Sequence, residues 1–210
     1  MKQYIFTAIS IMALFVSCSK SEPQMDRNIF IPDENDSQLP AYTEWGYNSF
    51  GAKIDRQYFV STSHIMPCRA LYKDGYLQFS LSGVYWLTYS GNTEMTLSFS
   101  FPCEQLHTYA DLLILNEKNM ELSAGDIQVV QTKVENTAQS RIETIDTLNV
   151  VSGMLHFRRA QLLSIDDQPN RAIVSGVFEF RYIEDNNVFP VSVSNGRFDI
   201  GINRDNFYAY

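Results

Sequence analysis

Hydrophobic and polar residues alternate one by one along most of this chain. In Met95-Thr96-Leu97-Ser98-Phe99-Ser100-Phe101, four apolar residues fall on one face and hydroxyls on the other. Tyr76-Leu77-Gln78-Phe79-Ser80-Leu81 repeats the pattern, and Val177-Phe178-Glu179-Phe180-Arg181-Tyr182 sets aromatics against Glu179 and Arg181. A period of two is the signature of half-buried antiparallel strands. The segment Ser152–Ile202 reads as a C-terminal meander with turns at 166–170 and 184–187, and 126–134 with 139–145 as a further hairpin. One stretch departs from the pattern. In Glu104–Leu115, Leu106, Tyr109, Ala110 and Leu113 fall at helical spacing, which points to one short helix, although Leu112–Leu115 could equally start a strand. The fold class expected is therefore all-β: a single antiparallel β-sandwich, or alternatively a β-barrel, with at most one short helix.

A Ser-Gly-apolar motif recurs inside this pattern, at Ser82-Gly83, Ser152-Gly153 and Ser175-Gly176, with a weaker echo at Asn195-Gly196. The spacing is irregular, which excludes a solenoid. Glycine at a strand entry, permitting a bulge or a close crossing, accounts for it.

The N-terminus follows different rules. After Lys2, the apolar run from Tyr4 to Val16 is shorter than the ~20 residues a spanning helix needs and matches a signal h-region. It closes on Leu14-Phe15-Val16-Ser17-Cys18, which resembles the lipobox of a bacterial lipoprotein signal. The resemblance implies a leader over 1–17, lipid on Cys18, and attachment to the cell envelope, at the outer membrane. Phe15 departs from the usual leucine. Residues 18–40 are rich in Ser, Glu, Gln, Asp, Asn and Pro and read as a flexible tether with a reach of ~25 Å. Its apolar break, Ile29-Phe30-Ile31, is a candidate edge strand. The acidic run Asp33-Glu34-Asn35-Asp36 reads as solvated linker in preference to a calcium site. Residues 41–210 suit one β domain.

Charge narrows the partners. The formal net charge is −8, and loss of Lys2 with the leader makes it more negative still. An acidic surface disfavours nucleic acid, whose phosphates require a basic one. Once Cys18 is lipidated, Cys68 and Cys103 remain, each following a proline. Two readings stay open for them: a disulfide formed in an oxidising envelope, or two buried free thiols.

Candidate chemistry is sparse. The three histidines form no metallohydrolase motif, and Glu104 with His107 is at most a one-turn pair. No GxSxG, phosphate loop, dinucleotide fingerprint or CxxC is present. We therefore expect no catalytic residues, no metal and no cofactor. Arg158 and Arg159, on a regular strand, would point to opposite faces. The aromatics are the remaining lead. Trp45 and Tyr47 near the domain start, and Tyr85 and Trp86 on a strand, are candidates for stacking on a ligand, against the commoner role of aromatics as core.

Ser175-Gly176-Val177-Phe178-Glu179-Phe180, a polar turn and Gly196-Arg197-Phe198-Asp199 resemble the last strands of uncharacterised lipoproteins from Bacteroides and related bacteria. Trp45-Gly46-Tyr47-Asn48-Ser49-Phe50-Gly51-Ala52 resembles their domain start. The resemblance covers both ends of the domain and implies an all-β envelope lipoprotein with no catalytic residues to carry over. The expectation is a non-catalytic module, anchored to the membrane through Cys18, that binds a glycan or peptide. The alternative is a structural or adhesin-like component of an envelope assembly, and a hydrolase is the least favoured reading, for want of a nucleophile or metal motif.

Overall fold

The computed structural model describes residues 27–87, 91–136, 140–165, 168–184 and 188–210. The leader, Cys18 and the start of the tether lie outside the described residues, as do the turn residues 166–167 and 185–187. Among the described residues there are twelve strands: β1 (Ser49–Ile54), β2 (Gln57–Val60), β3 (Cys68–Lys73), β4 (Tyr76–Leu87), β5 (Gly91–Pro102), β6 (Lys118–Glu121), β7 (Gln128–Asn136), β8 (Arg141–Thr147), β9 (Asn149–Ile165), β10 (Gln168–Ile183), β11 (Val191–Ile202) and β12 (Phe207–Ala209). They form one sheet in the order β6-β9-β10-β11-β1-β2-β4-β5-β7-β8, with β3 on β4 and β12 on β3. Pairing is antiparallel apart from the β12–β3 contact, which is parallel.

This single sheet curls so that it supplies both layers of the fold. Phe79 of β4 packs on Phe157 of β9 and Phe198 of β11, with ring centroids 5.3 and 5.1 Å apart. Phe99 of β5 meets Phe178 of β10 at 5.4 Å. These partners are distant in strand order, so only a curled sheet brings them together. The all-β expectation holds, and the architecture is a half-barrel in which one sheet does the work of two. Each fully buried phenylalanine contributes about 1.5–3 kcal/mol of transfer free energy. The outer face carries the hydroxyls, and Ser80–Ser98 and Ser82–Thr96 hydrogen-bond across β4 and β5 at 2.8 Å.

The motif glycines lie within strands, not at their entries. Gly176 of β10 sits opposite Phe198 of β11, and Phe178 of β10 sits opposite Gly196 of β11. A Cβ on Gly176 would lie 2.6 Å from the Phe198 ring and 2.2 Å from the His156 carbonyl oxygen. Each glycine thus leaves room for a ring from the neighbouring strand. The register shifts next to Gly176, so the expected bulge is present.

That same bulge corrects the reading of Arg158 and Arg159. Phe157 and Ala160 are buried while both arginines are exposed. The extra residue breaks the alternation and turns both side chains outward. Arg158 lies over the Tyr42 ring, and Arg159 faces Glu44.

The expected helix is a short 3-10 helix over Tyr109–Leu115. It packs on β9 and β10 through Leu112 and Leu115, while Leu113 is exposed. Three residues per turn set the buried face, not the 3.6-residue period assumed from the sequence.

Cys68 and Cys103 are free thiols. Cys68 pairs with Leu81 in the middle of β4, whereas the Cys103 amide bonds Gly75, next to Tyr76 at the start of that strand. Five extended residues separate those positions, ~17 Å. A disulfide needs Cα atoms within ~7 Å, so the two cannot bridge.

Residues 27–40 do not behave as a free tether. They form a strap laid on the domain. Ile29 donates to the Tyr47 carbonyl and Ala41 to that of Ile31, at 2.8 and 2.6 Å. Asp33 pairs with Arg197, and Asp36 with Lys53. Composition marked these acids as solvated linker, but each has a basic partner on β11 or β1. Both carboxylates are occupied by cations of the chain, which disposes of the calcium reading. Ile29, Phe30 and Ile31 keep exposed side chains and form no strand; the only pairing in the strap is an isolated bridge between Pro32 and Pro40. Among the described residues, no helix is long and apolar enough to cross a membrane.

Candidate ligand-binding site

Two depressions meet beside the strap. The first, about 290 Å3, has a mixed lining: Asn28, Asn48, Thr62, Ser63, His64, Asn203 and Asn206 give it a polar side, and Ile65, Met66 and Pro67 an apolar one. The second is mainly apolar and includes Phe30, Val60 and Trp86. Asn28, Thr62 and Ser63 line both, so the two form one groove with a polar and an aromatic half.

The polar half arises where strand ladders end and asparagines take over. Asn48 has a left-handed backbone (φ 55) just before β1, and its Oδ1 accepts from the Gly201 amide at 2.9 Å. Asn28 Nδ2 donates to the Asn48 carbonyl at 2.9 Å, tying in the strap. Asn206 Nδ2 donates to the Gly201 carbonyl at 3.1 Å, and its Oδ1 accepts from the Asn203 amide at 2.8 Å. Asparagine suits these positions because it tolerates left-handed backbone and bonds nearby main chain. Ser61 ends β2 by accepting from the Phe50 amide at 3.0 Å. It thereby fixes the start of the 61–67 loop, which carries Thr62, Ser63 and His64. The asparagine side is held by these bonds, and the 61–67 loop is anchored at its two ends, by Ser61 and by the Pro67 carbonyl, which accepts from the Ser82 amide at 2.9 Å.

The aromatic half is braced by the strap. Trp86 projects from the outer face of β4 and is 41% exposed, and Phe30 of the strap is 37% exposed. Tyr58 on β2 stands edge-on to Trp86, with centroids 6.5 Å apart. The Tyr58 hydroxyl donates to Asp36 at 3.1 Å, and Lys53 both pairs with Asp36 and lies 5.0 Å from the Tyr58 ring. Asp36 is held below the usual carboxylate range, chiefly by Lys53. Asp33 is lowered too, first by the Asn35 amide and then by Arg197.

The four aromatics expected to stack do not form one site. Tyr85 and Trp86 alternate, so Trp86 lines the groove while Tyr85 lines a separate cup at the open end of the sheet. Trp45 is 72% exposed over a shallow depression with Tyr42, Glu44 and Arg159. Tyr47 is half-buried, and its main chain is bonded on both sides, to Ile29 and to Asp199.

Sequence reasoning missed Asp199. Its side chain is 1% exposed, yet it accepts five hydrogen bonds. Oδ2 receives Thr43 Oγ1 at 2.5 Å and the amides of Trp45 and Tyr47 at 3.0 and 3.2 Å. Oδ1 receives the Gly46 amide at 2.7 Å and Ser175 Oγ at 3.0 Å. An acid inside the apolar run Phe198-Asp199-Ile200 was the available signal. Asn28, Asn48 and Phe30 were also missed, because asparagines in loops and a phenylalanine in a polar linker carry no motif.

His64 lines the polar half, while Glu104 and His107 are both exposed at the start of the 3-10 region. Among the described residues, no group of three or more His, Cys, Asp or Glu is placed to hold a metal ion. Burial pushes the Cys68 thiol up, away from the reactive thiolate. No family model, curated protein or solved structure matches this chain.

Proposed function

We propose that the protein is an envelope lipoprotein, anchored through lipid on Cys18, whose β domain is a non-catalytic module that captures a glycan. One observation carries the binding reading: an exposed indole and a depression bearing amides and hydroxyls share the walls of one groove. A sugar ring has the matching two-sided chemistry. Its C–H face packs on an aromatic plane, and its hydroxyls exchange hydrogen bonds with amides and hydroxyls. Trp86 and Phe30 supply the apolar surface; Asn28, Thr62, Ser63 and His64 supply polar partners at its edge. A groove braced in advance loses little entropy on binding. Screening the purified protein against a broad panel of soluble oligosaccharides tests this. Binding by at least one class supports the reading. Blank results for all of them, with binding of extended peptides instead, replace glycan by peptide.

A second reading rests on β8. It ends the strand order, and Ile142 and Ile145 are 49% and 65% exposed. An edge strand with exposed isoleucines is a template for pairing with another chain. This favours the alternative of an envelope assembly component. Crosslinking on membranes through a photoreactive residue at position 144 tests it: a discrete partner band supports assembly, and its absence removes this reading.

A further inference from the structure

The open end of the curled sheet holds a second depression, on a different face from the Trp86 groove. It is a cup of about 730 Å3. Its floor is polar and almost fully buried. Gln131 of β7 is 3% exposed and Tyr182 of β10 is 2% exposed, and their side chains hydrogen-bond to each other. In strand order β7 and β10 are far apart, so this bond spans the inside of the curl and closes it beneath the cup. Gln131 Nε2 also contacts the Met95 sulfur at 3.1 Å. A thioether is a weak acceptor, so the Tyr182 hydroxyl is the better partner of this amide, at the floor of an open cavity.

The rim is charged with a definite polarity. Asp55, in the β1–β2 turn, accepts from the Ser192 amide at 2.9 Å, which fixes it beside β11. Glu184 follows directly on the end of β10. Both carboxylates face the two phenols: after burial, Asp55 and Glu184 are causes that push the Tyr85 and Tyr182 hydroxyls up. Across the cup, Lys133 of β7 places its ammonium 5.9 Å from the Tyr85 ring centroid. Arg56 is exposed at the tip of the turn beside Asp55. One side thus presents the Asp55 and Glu184 carboxylates, with Arg56 beside Asp55, and the facing strand presents the Lys133 ammonium, with neutral donors between them.

We propose that this cup is a second binding site, which takes a small zwitterion of the amino-acid or short-peptide class. The ligand's ammonium is received by Asp55 and Glu184, and its carboxylate by Lys133 with the Gln131 amide and Tyr182 hydroxyl. A molecule with one charge meets a like charge on one wall, so the cup discriminates against singly charged relatives. Its volume falls within the range of small-molecule pockets, ~300–1,000 Å3, and the mouth of a curled sheet is a common place for one.

The test is calorimetric titration of the full chain with Gly-Xaa dipeptides, each compared with its N-acetyl and its C-amide form. The free dipeptide is expected to bind, and each blocked form to bind about tenfold more weakly or worse, as loss of a hydrogen bond to a charged group implies. Glu184→Gln should weaken the free and C-amide forms and spare the N-acetyl form. Lys133→Met should weaken the free and N-acetyl forms and spare the C-amide. Trp86→Ala should leave all of this unchanged, which separates the cup from the groove. No binding by any dipeptide, blocked forms binding as well as free ones, or loss of binding in Trp86→Ala would each overturn the proposal. If a charge variant fails to fold, the comparison of free and blocked ligands on the unaltered chain decides alone.

Discussion

Tyr58 links the strap to the groove: its ring stands edge-on to Trp86 with centroids 6.5 Å apart, while its hydroxyl donates to Asp36 at 3.1 Å. The N-terminal strap therefore braces the platform from behind, through a residue that does not line the groove. Substituting Asp36 by Asn, or Lys53 by Met, should loosen Trp86 without altering the groove's lining. The expected cost is about fivefold in ligand affinity, consistent with a partly exposed ion pair worth under ~1 kcal/mol. Time-resolved anisotropy of the tryptophans should show faster indole motion in either variant. Unchanged anisotropy and affinity would show that the strap does not support the platform.

The same strap should respond to pH in a defined direction. Asp33 and Asp36 are held below the ordinary Asp value of 3.8. Their contribution is complete above that value and is lost as pH falls through the lowered values in the folded protein. Lys53 is raised above its ordinary 10.5, mainly by Asp36. Its contribution is complete below 10.5 and is lost as pH rises through the raised value. Amide exchange over residues 27–40, compared with β9 and β10, should therefore accelerate below about pH 4 and again in strong alkali. Protection that stays constant down to pH 2 would contradict the ion-pair account.

Asp199 should be the most sensitive polar position in the domain. Asp199→Ala leaves four donors of the 43–47 segment, and Ser175 as a fifth, without their acceptor in a buried site, a loss of about 4 kcal/mol or more. Asp199→Asn keeps the shape but turns one accepting oxygen into a donor that faces donors, and should cost about 2–3 kcal/mol. Urea denaturation measures both. Losses under 1 kcal/mol would mean that the segment is held elsewhere.

Gly176→Ala should destabilise by about 3 kcal/mol, at the upper end of overpacking costs. Its Cβ would meet both the Phe198 ring and a backbone oxygen, and the oxygen cannot rotate away. Pairing Gly176→Ala with Phe198→Leu should recover part of the loss by making room at the ring. No recovery would assign the whole cost to the backbone contact.

The thiols offer a check on strand register. Without reductant, the unfolded protein should label at both Cys68 and Cys103. In the folded state, half-buried Cys103 should react far sooner than Cys68. A bridged pair would contradict the ~17 Å separation along β4.

The strands were legible from Met95–Phe101, Tyr76–Leu81 and Val177–Tyr182, because alternation is a local property written residue by residue. The curl was not, because it depends on which faces meet. Phe99 and Phe178 carry no mark that they touch. Arg158 and Arg159 misled because a bulge in their own strand, at Arg158, resets alternation, and the 3-10 helix misled because its period is three. Trp86 was visible as an aromatic, but its value comes from Phe30 and Asn28, brought beside it by a strap whose composition resembles a linker. Asp199 was hidden for the same reason: its donors lie more than 150 residues earlier for all but Ser175.

The central claim is that the groove beside the strap binds ligand through Trp86. The most direct measurement is a titration of the strongest-binding oligosaccharide into the protein and into Trp86→Ala, followed by calorimetry with thermal melts confirming that both are folded. Because truncating a central aromatic typically costs 2 kcal/mol or more, the variant should bind at least about thirtyfold more weakly, with an unchanged melting temperature. Equal affinity in the two folded proteins would contradict the account and place the ligand elsewhere on the domain.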